Sequence, residues 1–300
     1  MPEPRFECVP NVSEGRDTAV VERCAATVRA VPAVALMNAH ADPDHHRAVF
    51  SFLAGASAVE DAALGLAEAA LAAIDMRRHH GIHPRVGALD VVPFVPFAPA
   101  SMDEAVALAR RVGSAIARRF EIPVWYYGRA ATRPGRESPR PLRRGEYEGL
   151  AARLATPLSS DDTPDDGPAR FDPRAGAVLV GARDVLVAFN VWLDRDDHDA
   201  ARAIARAVRE SSGGLPAVQA MGVRLASRGV SQVSMNLLDY RRTPVPMAFD
   251  AVVAEARARG LGVARGELVG VAPRDAFAGR SPASVGLPDF TDSLLLETYL

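Results

Sequence analysis

The sequence predicts an α+β fold, an α/β sandwich of two ferredoxin-like βαββαβ subdomains that are related by duplication of topology. First, short β-rich runs alternate with segments of helical periodicity along the 300 residues. Second, the order strand, helix, two strands, helix, strand, which is the split βαβ order, fits both halves. Third, an aperiodic stretch separates the halves. We therefore expect subdomains at residues 1–176 and 177–300, with helices on one face of each sheet and the other faces free to meet or line a cleft.

The first half begins with a predicted strand at Phe6–Val9 and a predicted helix at Asp17–Ala30, in which Val20, Cys24 and Val28 recur at helical spacing. The later elements are predicted strands at Ala33–Met37, Ala48–Ala54, Ala88–Phe97 and Val124–Tyr127 and predicted helices at Ala58–Ile74 and Met102–Phe120. The last helix and strand are an addition to the split βαβ order.

Two stretches without periodicity lie between the halves. Arg, Pro and Gly dominate residues 129–144, residues 159–166 are acidic and rich in turn formers, and a short helix near Tyr147–Leu154 lies between them. After a strand run at Ala177–Val180, the second half has predicted strands at Val185–Leu193, Val218–Leu225, Val230–Leu238 and Val263–Val269 and helices at Asp197–Ser211 and Pro244–Ala258. A doubly wound parallel sheet is the alternative arrangement of these elements.

Composition excludes several classes of function. The chain carries 35 basic and 37 acidic residues, which argues against a whole-protein electrostatic grip on nucleic acid. It has no apolar run of membrane-spanning length and no secretory signal at its start, so we expect a cytoplasmic protein with no nucleic-acid or membrane partner. Every basic residue is arginine. The absence of lysine excludes Schiff-base and P-loop chemistry, while guanidinium groups suit two-point binding of carboxylates.

Six of the seven histidines lie between positions 40 and 83, in two predicted loops. The first loop, from His40 to Arg47, alternates histidine and carboxylate residues in a manner that resembles dinuclear zinc hydrolases. The alternative is a polar loop in which Asp42 and Asp44 bond to backbone N–H groups and pair with Arg47. We favour the polar loop and predict no metal.

The second loop contains His83, which the following Pro84 holds in extended geometry. Arg85 follows, and its guanidinium group would disfavour the protonated imidazole, as suits a general base near neutral pH. Asp90 could orient the ring, and its negative charge would favour the protonated imidazole. A purely structural histidine is the alternative.

A third candidate site is the segment between Gly167 and Gly176, where two arginines flank a phenylalanine. Such a set could stack a flat ring and pair with carboxylates, although an interdomain hairpin explains it too. A dinucleotide fingerprint at a helix start and a nucleophile elbow are both missing from the sequence.

Several segments together resemble the formiminotransferase family. They run in order from residue 7 to about 273, and the most distinctive is His83-Pro-Arg-Val-Gly-Ala-Leu-Asp90. The other matching segments are Glu7–Gly15, Pro93–Pro96, Pro123–Gly128, Gly145–Glu148, Gly167–Pro168, Gly181–Arg183, Ala188–Asn190, Gln232–Asp239 and Glu267–Gly270. Because the match takes up nearly the whole sequence, the chain resembles a stand-alone transferase without a cyclodeaminase domain.

The resemblance implies transfer of a formimino group from N-formimino-L-glutamate to N5 of tetrahydrofolate, which is the co-substrate, with release of glutamate. It implies a homodimer, two α/β subdomains with folate in a groove between them, and no metal. The family's catalytic histidine falls on His83. The family's folate-binding segment falls on Gly167, Pro168, Ala169, Arg170, Phe171, Asp172, Pro173, Arg174, Ala175 and Gly176.

Arg47, Arg85, Asp90 and His40 are then candidates for binding substrate carboxylates or orienting groups in the site. The sequence departs from the family where Ile82 replaces an acidic residue and where an aspartate that assists the histidine falls on His40. A relative that handles 5-formyltetrahydrofolate, such as a formyltransferase or cyclo-ligase, and a non-catalytic folate-binding protein are the alternatives.

Overall fold

A computed structural model describes residues 3–155 and 162–300. The chain forms an α+β fold with two sheets, as predicted, and divides into two compact units, residues 1–183 and 184–300. The predicted turn-rich stretch 159–166 lies in part outside the described residues. In the part of the chain that the structure describes, no helix has the length and apolar character needed to cross a membrane.

The first unit contains a mixed sheet and three long helices. Its strands are β1 (Arg5–Cys8), β2 (Asn11–Val12), β3 (Ala35–Asp42), β4 (Arg47–Ala54), β5 (Leu89–Phe97), β6 (Val124–Gly128) and β7 (Val178–Ala182). Its helices are α1 (Thr18–Arg29), α2 (Ala56–Ala73), α3 (Met102–Phe120), α4 (Pro139–Leu142) and α5 (Glu146–Ala155). From one edge the strand order is β3, β4, the β1–β2 pair, β5, β7 and β6.

The boundary between the units differs from the predicted one at residue 176. Strand β7 runs parallel between β5 and β6, with Val91 opposite Leu179 and Val124 opposite Val178. It therefore completes the sheet of the first unit, since its backbone hydrogen bonds go to those two strands. The sequence placed this strand in the second half because strand order in a sheet is a non-local property.

Alternation along the strands gives the first sheet two distinct faces. On one face, side chains such as Phe6, Phe50, Phe52 and Phe94 pack with α1, α2 and α3 in a buried core. Glu7 and Arg47 stand at alternate positions and project from the other face, which we call the open face. Asp90 joins Arg47 there, because the register of β5 with β2 shifts at this residue. Polar groups therefore collect opposite the helices.

The predicted loop from His40 to Arg47 is wrong in extent. Strand β3 continues through Asp42, and His40 lies directly opposite Val49 of β4. Only residues 43–46 form the turn, and His46 closes it at φ 50°. The polar residues of this stretch alternate with alanines, which is compatible with an edge strand as well as with a loop.

The second unit is a four-stranded antiparallel sheet with two helices. Its elements are β8 (Val187–Leu193), α6 (His198–Val208), β9 (Val218–Leu225), β10 (Val230–Leu237), α7 (Val245–Arg257) and β11 (Val263–Val269). The strand order is β11, β8, β10, β9. Phe189, Val191 and Val233 pack with both helices in a separate core, because apolar residues at alternate strand positions face them.

Candidate active site

His83 lies in the loop that enters β5, and its ring is half-buried. Its Nδ1 is 2.8 Å from the carbonyl oxygen of Pro84. A carbonyl oxygen can only accept, so Nδ1 carries the proton of the neutral ring and Nε2 carries the lone pair. The predicted general base thus has its tautomer fixed by its own backbone.

The surroundings of His83 favour its neutral form. Burial lowers the pKa of His83 well below its ordinary value of 6.5, and the nearby charges of Arg47 and Arg143 lower it further. The ring centroid of His45 lies 5.9 Å from that of His83. The predicted influence of a guanidinium group is present, although Arg47 and Arg143 supply it and the side chain of Arg85 is held by other groups.

Asp90 is fully buried and joins these two arginines. Its Oδ2 accepts from Arg47 Nη1 at 2.8 Å and from Arg143 Nη2, and its Oδ1 accepts from the N–H of Val86 at 2.9 Å. Burial alone would raise the pKa of Asp90, but the guanidinium groups of Arg143 and Arg47 hold it below its ordinary value. The contacts of Asp90 therefore orient the two arginines.

Arg47 is also held by side chains of the protein. Its Nε donates to Asn11 Oδ1 at 2.9 Å, and the side chain is 7% exposed. Burial lowers the pKa of Arg47 to about 10, with Asp90 opposing the shift. Its contacts fit an orienting role in the site more closely than direct binding of a substrate carboxylate.

Arg85 connects a pair of acidic side chains to a second histidine. Its Nη1 donates to Glu146 at 3.0 Å and to Glu148 at 2.9 Å, and its Nε donates to His79 Nδ1 at 3.2 Å. His79 Nε2 therefore carries the proton and donates to the carbonyl of His46 at 2.8 Å. Burial lowers the pKa of His79 to about 4. Arg85 thus fixes the loop that carries His83.

Neighbouring groups of the protein hold the ring of His46. The rings of His46 and His79 stack at 4.2 Å, and His46 Nε2 faces Glu14 Oε1 at 3.2 Å. His40 lies on the edge strand. Among the residues that the structure describes, no three His, Cys, Asp or Glu side chains are grouped as metal ligands.

An open cleft of about 530 Å³ lies beside the His83 loop. Its lining residues are His80, Gly81, Arg85, Arg143, Gly145, Glu146 and Glu148. Sequence reasoning missed the role of Arg143, because nothing distinguishes it within an arginine-rich stretch. The Gly145–Glu148 motif was visible as a family match, but its pairing with Arg85 required the tertiary structure.

The end of the Gly167–Gly176 segment lies against the loop of His83. Asp172 Oδ1 accepts from the N–H groups of Arg174 at 2.7 Å and Ala175 at 3.1 Å, and the Ala88 N–H donates to Ala175 O at 2.8 Å. Gly176 has φ 73°, and a Cβ there would lie 2.2 Å from Val86 O. A close backbone approach therefore joins the two predicted sites.

The earlier part of the segment presents an aromatic pair and exposed cations. The rings of Phe171 and Tyr147 lie 5.5 Å apart, and the Tyr147 hydroxyl donates to Pro173 O at 2.6 Å. Arg170 is exposed, whereas Arg174 Nη2 donates to the carbonyl of Ala72 at 2.5 Å. Of the two predicted cations, Arg174 is tied to the helix end and Arg170 faces solvent.

Two buried polar atoms have no hydrogen-bond partner within residues 3–155 and 162–300: Asn38 Oδ1 and Arg143 Nε. Glu7, a buried carboxyl on the open face, was not predicted as a site residue either. Burial raises the pKa of Glu7 to about 7, and Arg183 opposes the shift. Both findings place unusual polar groups on the face that carries Arg47 and Asp90.

Comparison with known proteins identifies the class of the chain. The model for the formiminotransferase domain, N-terminal subdomain, matches residues 5–183, and the model for the formiminotransferase domain matches residues 188–281. The chain belongs to the formiminotransferase family and is a transferase, which confirms the resemblance noted in the sequence.

Three similar proteins show which enzymes of this family the chain resembles. The chain is 38% identical to glutamate formimidoyltransferase of Streptococcus pyogenes serotype M1, over 98% of both chains. It is 37% identical to glutamate formimidoyltransferase of Thermoplasma acidophilum, over 97% of this chain and 95% of that protein. It is 40% identical to formimidoyltransferase-cyclodeaminase of Sus scrofa, over 90% of this chain and 50% of that protein.

Proposed function

We propose that the chain transfers a formimino group from N-formimino-L-glutamate to N5 of tetrahydrofolate, with His83 as the proton-transfer group. The observation that carries this proposal is the state of the His83 ring. Its Nδ1–H is held by Pro84 O, and burial with two nearby guanidinium groups keeps the ring neutral. The names of the similar proteins supply the donor, and the family supplies tetrahydrofolate as co-substrate.

The reaction needs one group that both accepts and donates a proton. N5 attacks the amidine carbon and forms a tetrahedral intermediate, and Nε2 of His83 accepts the N5 proton. The resulting imidazolium returns this proton to the glutamate nitrogen as the carbon–nitrogen bond breaks, so that glutamate leaves as an amine. A depressed pKa makes the imidazolium a strong acid for the second step. Tetrahydrofolate and formiminoglutamate supply every reacting atom, and we propose no metal.

We propose that the segment from Gly167 to Gly176 binds the folate. The aromatic pair of Phe171 with Tyr147 offers a surface for a flat ring, and exposed Arg170 suits the carboxylates of the glutamate tail. The contacts of Arg47 and Arg85 favour a positioning role for both, because each guanidinium already pairs with a carboxylate of the chain.

We also propose that the two units arose by duplication of a ferredoxin-like fold. Within the first unit, the strands β3, β4, β1 and β5 lie in an order that corresponds to β9, β10, β8 and β11 in the second. In both sets the neighbours are antiparallel, and helices follow the first and third strands. Strands β6 and β7 are then an addition to the first copy.

The assay mixes the enzyme with tetrahydrofolate and formiminoglutamate and follows the pteridine absorbance, with 5-formyltetrahydrofolate tested in parallel. We expect turnover only with the formimino donor. The variant His83→Ala should lose turnover by about 10²–10⁴-fold, the usual scale for a general acid–base, with little change in folate affinity. His198→Ala is the control, because His198 is exposed in the second unit. Equal turnover by wild type and His83→Ala would reject the assigned role.

A further inference from the structure

We infer that Arg143 recognises the α-carboxylate of the amino-acid donor and so determines which donors the enzyme accepts. This inference rests on the proposed function and extends it to a residue that is outside the His83 loop and the segment 167–176. Three properties of Arg143 carry it: a fixed backbone, a buried Nε–H with no acceptor among the described residues, and a place in a group of two arginines that share one carboxylate.

The backbone of Arg143 is held in place by a tight turn at the end of α4. Its N–H donates to Pro139 O at 3.0 Å, and its own carbonyl accepts from the N–H of Glu146 at 2.8 Å. The preceding Leu142 is buried, and its carbonyl accepts from Arg153 Nη1 at 2.8 Å. The guanidinium group therefore projects from a rigid support, which is what a specificity residue requires.

The side chain of Arg143 is only partly satisfied by the protein. It is 15% exposed and lines the cleft beside the His83 loop, and its Nη2 pairs with Asp90. Its Nε–H is buried and has no acceptor among the described residues. A buried donor without a partner is unfavourable, and a ligand that supplies an acceptor removes this penalty.

The local charge points to an anion as that ligand. Arg47 and Arg143 both pair with the single carboxylate of Asp90, and the His83 ring beside them is neutral. In the described part of the chain, no ion pair other than that with Asp90 is formed by either arginine. Arg85 with Glu146 and Glu148 carries one net negative charge elsewhere in the cleft, whereas the Arg47–Asp90–Arg143 group carries one net positive charge. A carboxylate fits both this charge and the Nε–H geometry of a guanidinium group.

The position of Arg143 relative to His83 selects the α-carboxylate of the donor. In formiminoglutamate this group is bonded to the carbon that carries the leaving nitrogen, so it travels with the atom that His83 must protonate. The carboxylates of tetrahydrofolate lie beyond the aminobenzoyl group, far from N5. Arg143 lines the cleft together with His80 and Gly81 of the His83 loop, so it faces the donor rather than the folate tail.

The test compares two donors that differ only in this group, N-formiminoglutamate and N-formimino-4-aminobutanoate. Wild type should prefer formiminoglutamate by about ten- to hundredfold in kcat/KM, the range for hydrogen bonds to charged groups. In Arg143→Ala this preference should disappear, mainly through a higher KM for formiminoglutamate, with KM for tetrahydrofolate unchanged. Arg143→Lys should recover part of it, because the charge remains while the fork is lost.

The matched control is Arg144→Ala. Arg144 is adjacent, 69% exposed and paired with Asp162, so its removal should leave the donor preference as in wild type. A structural effect of Arg143→Ala would lower kcat/KM for both donors alike and overturn the inference. A wild-type enzyme that does not distinguish the two donors would overturn it as well.

A binding measurement separates this inference from the proposed reaction. Calorimetric titration with glutamate and with 4-aminobutanoate needs no turnover. Wild type and Arg144→Ala should bind glutamate the more tightly, and Arg143→Ala should bind both equally. If turnover is absent but this pattern holds, the proposed reaction fails and the carboxylate site stands. Undiminished selectivity for glutamate in Arg143→Ala would overturn the inference and leave the proposed reaction unaffected.

Discussion

His79 is a buried residue whose two ring nitrogens both have partners that suit the neutral form. Arg85 donates to its Nδ1, and its Nε2–H donates to His46 O. Protonation would place a second proton against a guanidinium N–H and add charge to a buried site, which explains why burial lowers the pKa of His79 to about 4. His79 therefore links the pH to the stability of the loop that holds His83.

This linkage predicts the sign of a pH effect on stability. In the unfolded chain His79 binds a proton below pH about 6.5, whereas in the folded protein it resists protonation until about pH 4. The free energy of unfolding should therefore decrease as the pH falls through this window, by up to about 3 kcal/mol from this residue. Urea titrations between pH 4 and 7 should give a shallower pH dependence for His79→Gln than for wild type.

The comparison needs an exposed histidine as reference. His198 is exposed, so His198→Gln should follow the wild-type dependence. An identical pH dependence for wild type and His79→Gln would show that His79 does not resist protonation in the folded state.

Residue identity alone predicted some of these roles and not others. The proline after His83 and the adjacent guanidinium of Arg85 predicted a neutral, constrained imidazole, and the structure has one. The assignment of that effect to Arg85 was wrong. Arg85 is two residues away along the chain, but its side chain turns to Glu146 and Glu148, while Arg47 and Arg143 come from distant positions. Side-chain direction depends on partners that only folding brings together.

At the scale of elements, the approach of two backbones joins the His83 loop to the segment before β7. Gly87 and Gly176 form an isolated β-bridge, and a Cβ on Gly87 would lie 2.2 Å from Ala177 O. Two glycines meet here because no side chain fits between the strands. The contact fixes the orientation of residues 167–176 relative to His83.

A substitution at Gly176 tests this contact. Gly176→Ala combines a positive φ of 73° with a Cβ 2.2 Å from Val86 O, so we expect the free energy of unfolding to fall by about 2–3 kcal/mol. Gly135→Ala is the control, because Gly135 has φ 79° with no atom within 4 Å of the added Cβ. It should cost only about 1 kcal/mol. Chemical denaturation measures both decreases in the free energy of unfolding. Equal decreases would show that the close approach is not the cause.

Element types were predicted well, and their ends less so. The helix at 102–120 and the strand at 218–225 have the predicted bounds, because their periodicity is long and uninterrupted. The strand β3 extends past its predicted end at Met37, since pairing with β4 favours an extended backbone through Asp42. Helix α4 lies in a stretch that has no periodicity at all, and its turn depends on contacts with Leu142 in the core.

At the scale of the whole molecule, the two units have separate cores and separate sheets. The division falls at residue 183, which agrees with the end of the matched N-terminal subdomain. Each unit can thus be described by its own strand order and its own helix-covered face. A ligand groove between the units stays a prediction.

The resemblance implied a homodimer, which sedimentation equilibrium can test. We expect a particle of twice the chain mass of 31.9 kDa across micromolar concentrations. A single species of the chain mass would contradict this expectation. The measurement on Arg143→Ala and His83→Ala would further show that their kinetic effects arise without a change of assembly.

The sequence by itself determined the α+β class, the order of the main helices and strands, and the family, and it predicts His83 as the catalytic residue. These properties are local, since they depend on the period of apolar residues and on short motifs. Only the tertiary structure decided that β7 belongs to the first unit, that Arg47 and Arg143 share Asp90, and that Arg143 has a buried N–H with no acceptor in residues 3–155 and 162–300. These are contacts between residues far apart in the chain, and packing against distant strands selects among the partners that composition leaves equivalent.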